Sequence, residues 1–314
     1  MSLGFGTAAI GRPQYINIRH KKATPFSFET FRRAGSYMLE NAYQLGIRYF
    51  DTAPGYGMAE DLLIEWAAQK QDETIEIATK WGYTYTARFD PNAKVHEVKE
   101  HSLAKLTEQW EHSQSLLPKL TTYQIHSATF ETGVLENVDV LKRLAELKDI
   151  YGLHIGLTTS GANQVEVLKK AVGVSINEKK LFDVFQVTYN IFDQSLAVVA
   201  ERIASDGGRL VIKEALANGR AFPNPDYPHY AKHYQKLEAL ARKYKVGADA
   251  VALRFCLDSL PVYRVLSGAS QRNQLEENLK VSTFSLEEAE IAWWKNEAVK
   301  PTDYWSERKQ LAWN

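Results

Sequence analysis

Cysteine is almost absent: Cys256 is the only one in 314 residues. That excludes an internal disulfide framework and any cysteine-rich zinc site. An excess of one charge sign is missing too. The 38 Lys and Arg residues balance 38 Asp and Glu residues, so there is no polycationic face for a phosphate backbone or an anionic lipid surface. No apolar run approaches the ~18 residues that span a bilayer. The opening residues MSLGFGTAAIGRPQYINIRHKK lack the basic start and apolar core of a secretory signal. There is no repeat, low-complexity tract, charge block or interdomain linker. These absences predict a globular cytoplasmic protein with no nucleic-acid and no membrane partner, and they leave the oligomeric state open.

What is present is an alternation of strand and helix signals. Short β-rich runs occur at 4–8, 47–50, 75–80, 123–126, 154–159, 184–188, 210–213 and 263–266. Helical patterns fall at 29–45 (closed by Gly46), 59–69, 95–117, 135–147, 163–172, 196–205, 230–244, 248–257, 273–281 and 286–297. In the fourth of these, Leu135, Val138, Leu141, Leu144 and Leu147 recur closely enough to 3.6 to form one apolar face. Alternation without consecutive strands implies a parallel sheet covered by helices. The even number of units favours closure into a single (β/α)8 TIM barrel over residues 1–314, with an extra C-terminal helix and tail, over an open doubly wound sheet.

Active sites of such barrels lie where the strands end. Asp51, Lys80 and His126 end the second, third and fourth predicted strands, and Tyr56 lies just past Asp51. Singly, each has a bland explanation: a helix cap, a lysine reaching solvent, a core histidine, a packed ring. Together, an acid, a phenol, an ammonium and an imidazole at one barrel mouth, without metal ligands beside them, suit proton transfer to a carbonyl oxygen. A neighbouring ammonium lowers a phenol's pKa from ~10, a carboxylate holds that ammonium in place, and an imidazole donor orients the carbonyl. The set holds no electron source, so a hydride must come from a bound cofactor.

These residues stand in a recognisable setting. The stretch from Gly46 to Gly57, GIRYFDTAPGYG, followed by Glu60-Asp61-Leu62-Leu63, resembles the signature of the aldo-keto reductases. Thr79-Lys80-Trp81 and Gln124-Ile125-His126 resemble that family's lysine and histidine segments, and later blocks extend the likeness from Gly4 to about Val281. The resemblance implies a (β/α)8 barrel that takes NADP(H) or NAD(H). By it, Tyr56 is the general acid–base, Lys80 lowers its pKa, Asp51 pairs with Lys80, and His126 orients the carbonyl of a small-molecule aldehyde, ketone or sugar. Thr158, Thr159 and Gln186 align with residues that hold the nicotinamide carboxamide, and Gln274, Glu277 and Asn278 with contacts to the adenosine half.

Three departures stand out. Thr158-Thr159 replaces a frequent Ser-Asn pair. Lys213 replaces an aromatic that commonly stacks on the nicotinamide, so it is expected to point elsewhere or to meet the pyrophosphate. Gly268, Ser270 and Gln274 occupy positions that commonly carry a base for a 2′-phosphate, leaving Arg272 as the nearby cation. Ser270 and Arg272 can still clamp a phosphate, which leans the reading towards NADP(H) over NAD(H).

Other features carry less. Gly4-x-Gly6 lacks the third glycine of a dinucleotide fingerprint. His96 and His101 are five apart, about 140° around a helix, so they read as a solvated helix face and not as metal ligands. Cys256 reads as a buried small hydrophobe, and Trp293-Trp294 as packing. Trp81, with Tyr83 and Tyr85 after it, and Tyr304 and Trp305 in the tail are candidates for lining a substrate pocket. Two further readings compete with the reductase. One is a cofactor-binding regulatory subunit like the potassium-channel β-subunits, for which no extended N-terminal blocking segment is seen. The other is a Schiff-base enzyme using Lys80, which the neighbouring Asp51 disfavours.

Overall fold

The computed structural model describes residues 2–15, 26–90 and 92–311. Eight parallel strands close into a barrel: β1 (Leu3–Gly6), β2 (Tyr49–Asp51), β3 (Glu76–Trp81), β4 (Leu120–Ile125), β5 (His154–Thr158), β6 (Val184–Thr188), β7 (Arg209–Lys213) and β8 (Val262–Ser267). Each pairs with its sequence neighbours, and β8 closes the ring on β1 through Leu3↔Val265 and Phe5↔Ser267. The expected (β/α)8 architecture is therefore present.

Strand alternation sorts the side chains. Phe50, Ile77, Tyr123, Phe185 and Ile212 face the surrounding helices in one continuous buried apolar layer. Tyr49, Ala78, Val184, Val211 and Leu266 fill the barrel interior below the mouth. One pleat further along, the same inward faces carry Asp51, Lys80, Gln186 and Lys213, so the apolar plug ends where the polar mouth begins. Three of the helices start at side-chain caps that each satisfy a free N–H group. Ser27 caps α1 (Phe28–Gln44), Ser102 caps α3 (Leu103–Ser113) and Asn137 caps α4 (Val138–Tyr151). Between the first two of these, α2 (Ala59–Ala68) covers β2 and β3.

Two expectations give way. The helix predicted over 95–117 starts only at Leu103. Before it, Glu97–Lys99 forms a strand paired antiparallel with Tyr83–Tyr85. Val95 and Val98 are exposed, so the segment has no apolar face to bury as a helix, and Ser102 supplies the real start. His101 is consequently buried, not solvated: its ring packs on Trp81 at 5.4 Å between centroids. The predicted C-terminal tail is a helix, Pro301–Lys309, with Tyr304 and Trp305 buried beneath it. Cys256 is fully buried, as its apolar surroundings in sequence imply.

Behind β3, Glu60 of α2 is buried and accepts from the Thr79 hydroxyl at 2.5 Å and the Ser113 hydroxyl at 2.9 Å. Its second oxygen accepts no hydrogen bond, with His112 Nε2 4.0 Å away, and burial pushes its carboxyl up from 4.5 to about 7. Between those values the folded chain keeps a proton that the unfolded chain has lost, so stability falls as pH rises through that window. Thermal unfolding followed by circular dichroism from pH 5 to 8 should show a declining Tm, and Glu60→Gln should flatten the decline.

Candidate active site

The site is organised around a carboxylate on an inward-facing strand end. Lys80 Nζ donates to Asp51 Oδ1 at 2.5 Å and to the Thr52 carbonyl at 2.9 Å, with the ammonium fully buried and Asp51 2% exposed. The other oxygen, Asp51 Oδ2, accepts from Gln186 Nε2 at 2.7 Å and Gln124 Nε2 at 3.5 Å. Thr7 fixes the end of β2 from the opposite side, its N–H and hydroxyl both donating to the Asp51 carbonyl. Four strands thus hold one ion pair. Burial pulls the Lys80 ammonium below its ordinary value and the Asp51 charge opposes that pull.

Tyr56 is delivered by a tight turn. Pro54–Tyr56 makes a single 3-10 turn and Gly57 follows at φ +66°. A Cβ on Gly57 would lie 2.4 Å from the Gly11 carbonyl oxygen, and one on Gly11 would lie 2.2 Å from the Tyr56 carbonyl oxygen. Only glycine at both places lets the backbones close. Arg12, paired with Glu97 at 2.6 Å, also donates to the Gly55 carbonyl and clamps the turn. The Tyr56 ring ends with Lys80 Nζ 4.7 Å from its centroid and the His126 ring at 5.4 Å, nearly perpendicular.

His126 sits just beyond β4. Its backbone N–H donates to the Trp81 carbonyl at 2.9 Å, and its carbonyl meets His101 Nε2 at 3.0 Å. His101 is in turn fixed by Thr132 Oγ1 at 3.1 Å, and burial pushes its imidazole down to about 4. It is therefore neutral, with its Nε2 proton on the His126 carbonyl. His126 itself is held well below the usual imidazole range by burial first, then by the nearby Lys80 and Lys213 charges. Its Nδ1 is buried without a hydrogen-bond partner, and the residue lines the cavity.

The phenol differs from the sequence expectation. Burial, and then the Asp51 charge, hold the Tyr56 hydroxyl well above its ordinary value. Asp51 neutralises the ammonium that was expected to lower it, and desolvation decides the sign. Tyr56 is therefore protonated in this state.

These groups open into a cavity of about 490 Å³, within the range of small-molecule and cofactor sites. Asp51, Tyr56 and His126 lie at one end with Tyr15, Tyr83 and Phe222 as aromatic walls, and Thr158, Gln186 and Lys213 beside them. The wall continues to Gly268, Ser270, Gln274 and Asn278. Lys80 and Thr159 are fully buried behind the lining; the Thr159 hydroxyl has no partner. Lys213 does not point away: it lines the cavity, donating to the Ser160 and Thr188 hydroxyls at 3.0 Å each, with Glu214 at 3.6 Å.

Five candidates are not brought to the cavity. Trp81 follows the inward Lys80 and so faces outward into the helical layer. Tyr304 and Trp305 are spent on docking their helix, through Asn190 at 2.9 Å and Asp193 at 2.9 Å. Arg272 is turned to Glu276 and Asn41, at 2.8 and 2.7 Å, and Glu277 to Lys280, at 2.6 Å. Sequence reading missed Glu97, Lys99, Glu214, Asp249 and Arg308, all of which line the cavity. Glu214 directly follows β7, a position that strand-end reasoning reaches; the others come from the hairpin and from helices.

A family model described as the Aldo/keto reductase family matches residues 2–297. The chain belongs to the aldo/keto reductase family. As such it is an oxidoreductase acting on carbonyl groups, of a family that uses NAD(P)H. Among curated protein sequences, none matches the chain. Among solved structures, aldo-keto reductase AKR11C1 from Bacillus halodurans in its holo form is 22% identical, with a TM-score of 0.68 over 95% of this chain and 92% of that one. The glycerol dehydrogenase AKR11B4 from Gluconobacter oxydans is 21% identical, with a TM-score of 0.70 over 94% of this chain and 90% of that one. At these identities the likeness is one of fold.

Removing one member of a buried ion pair strands the other. Asp51→Asn should cost about 3–5 kcal/mol, read as a drop in the urea midpoint at constant slope. Lys80→Met with Asp51→Asn should recover part of that loss.

Proposed function

We propose that this aldo/keto reductase, acting as one domain over its 314 residues, reduces an aldehyde, ketone or aldose carbonyl with Tyr56 as the proton donor. The observation that carries this reading is the approach of the Lys80 ammonium and the His126 ring to the Tyr56 ring, at 4.7 and 5.4 Å from its centroid. The lining residues fit a nicotinamide dinucleotide. The cavity runs from Tyr56 to Asn278, Gly268 leaves open space where a side chain would stand, and the buried Thr159 hydroxyl is unpartnered. The bound nicotinamide supplies or accepts the hydride. Thr158 and Gln186 would hold its carboxamide, since Thr158 Oγ1 accepts from Ser127 N at 2.7 Å and keeps its own hydrogen free.

The chain's own groups do the rest. His126 Nε2–H donates to the carbonyl oxygen and fixes its direction. Tyr56 delivers its proton as that oxygen gains charge, and Lys80 leaves a positive field beside the resulting phenolate. Asp51 keeps the ammonium from drifting into the cavity. Tyr15, Tyr83 and Phe222 present flat faces that suit a sugar or an aromatic aldehyde. The lean to NADP(H) depended on Arg272 clamping a phosphate, and that side chain is committed to Glu276 and Asn41. No helix among the described residues is long and apolar enough to cross a membrane.

Tyr56→Phe should lower kcat for carbonyl reduction by ~10²–10⁴-fold while the Kd for reduced cofactor changes less than threefold. Full activity in that variant would remove Tyr56 from the mechanism. The raised phenol and depressed imidazole give a second expectation. Reduction needs phenol and neutral imidazole, both present from about pH 6 to 9, so kcat/KM for reduction should be flat there. Oxidation of the alcohol needs phenolate, so its rate should climb with pH throughout that range.

A further inference from the structure

We infer that Asp249 makes this chain selective for NAD(H) over NADP(H). The inference rests on the nicotinamide reading of the cavity proposed above. With the reacting ring at Tyr56 and His126, the adenosine ribose belongs at the other end of the cavity. The wall there consists of Gly268, Ser270, Gln274, Asn278 and Asp249.

The charge of that wall decides the matter. Asp249 stands in the first turn of the helix Ala248–Ser259. Asn278 bridges it to Ser267: the amide nitrogen donates to Asp249 Oδ2 at 2.6 Å and the amide oxygen accepts from Ser267 Oγ at 2.8 Å. The carboxylate is thus held in place at the cavity surface. Among the described residues of this wall there is no cation. The nearby Arg272 and Lys280 lie outside the lining, Arg272 bonded to Glu276 at 2.8 Å and Lys280 to Glu277 at 2.6 Å. Two of the backbone donors at this end are occupied as well. The Gln274 side-chain oxygen accepts from the Ser270 and Gln271 N–H groups, at 3.0 and 3.2 Å, and so closes the start of the following helix.

A 2′-phosphate brings nearly two negative charges at neutral pH. Here it would meet a fixed carboxylate and a wall that carries no arginine or lysine to pair with. A free ribose diol brings hydroxyl donors, and a carboxylate is an acceptor for them with a charge-assisted bond. The same wall that repels the phosphate therefore binds the diol. Gly268 leaves open space at this end, so size does not exclude the phosphate. The discrimination is electrostatic.

The purified protein is titrated with NADH and with NADPH without substrate, following cofactor fluorescence and tryptophan quenching. NADH should bind at least tenfold more tightly. Competition against bound NADH should follow the same rule, with AMP displacing it at lower concentration than 2′,5′-ADP. Asp249→Asn should narrow the gap by strengthening NADPH binding and weakening NADH binding. Adding Ser270→Arg to it should invert the preference. Asp249→Ser serves as the second variant, and thermal melts confirm that each is folded. Equal or tighter NADPH binding in the wild type would overturn the selectivity. A cofactor ratio unchanged in both Asp249 variants would overturn its assignment to this residue. Failure of both cofactors to bind would instead overturn the nicotinamide reading on which the inference stands.

Discussion

A lysine with no solvent exposure is tolerable only beside a charge that cannot move away. In this barrel that charge is Asp51, and its immobility is built from four directions: Thr7 on its carbonyl, Gln186 and Gln124 on one oxygen, Lys80 on the other. Burying each charge alone costs several kcal/mol, which the short contact and the surrounding hydrogen bonds offset. The arrangement fixes the barrel mouth before any ligand arrives. Tyr56 and His126 are then aimed at a field whose source does not reorganise, the condition under which electrostatic assistance to a reaction is greatest.

The pair also explains why the phenol stays protonated. An isolated ammonium 4.7 Å from the ring would favour phenolate. With Asp51 at 2.5 Å from that ammonium, the carboxylate opposes the ammonium's pull on the phenol and the cost of burying an anion prevails. The phenol therefore rests in its protonated form.

The sequence revealed most where geometry follows chain order. Asp51, Lys80 and His126 end consecutive strands, and strand ends share one rim of a barrel, so their meeting is implied by position alone. Trp81 was assigned to the pocket by chemistry although its place in the strand argued otherwise. Lys80 faces in, so the next residue must face out. His101 was hidden by a helical reading of a segment whose valines are exposed. Tyr304 and Trp305 carried no sign that Asn190 and Asp193 would claim their polar ends. Asp249 and Arg308 were illegible for another reason. Each lies on a helix that reaches the cavity only through tertiary packing, and no local spacing reports that.

The C-terminal helix stands outside the strand-and-helix repeat, yet its Arg308 grips Glu214 through two contacts and so sets the charge beside Lys213. A helix added outside the repeat is thereby wired electrostatically to a strand end of the barrel, so mutational drift on that outer element is felt at Lys213 inside the cavity.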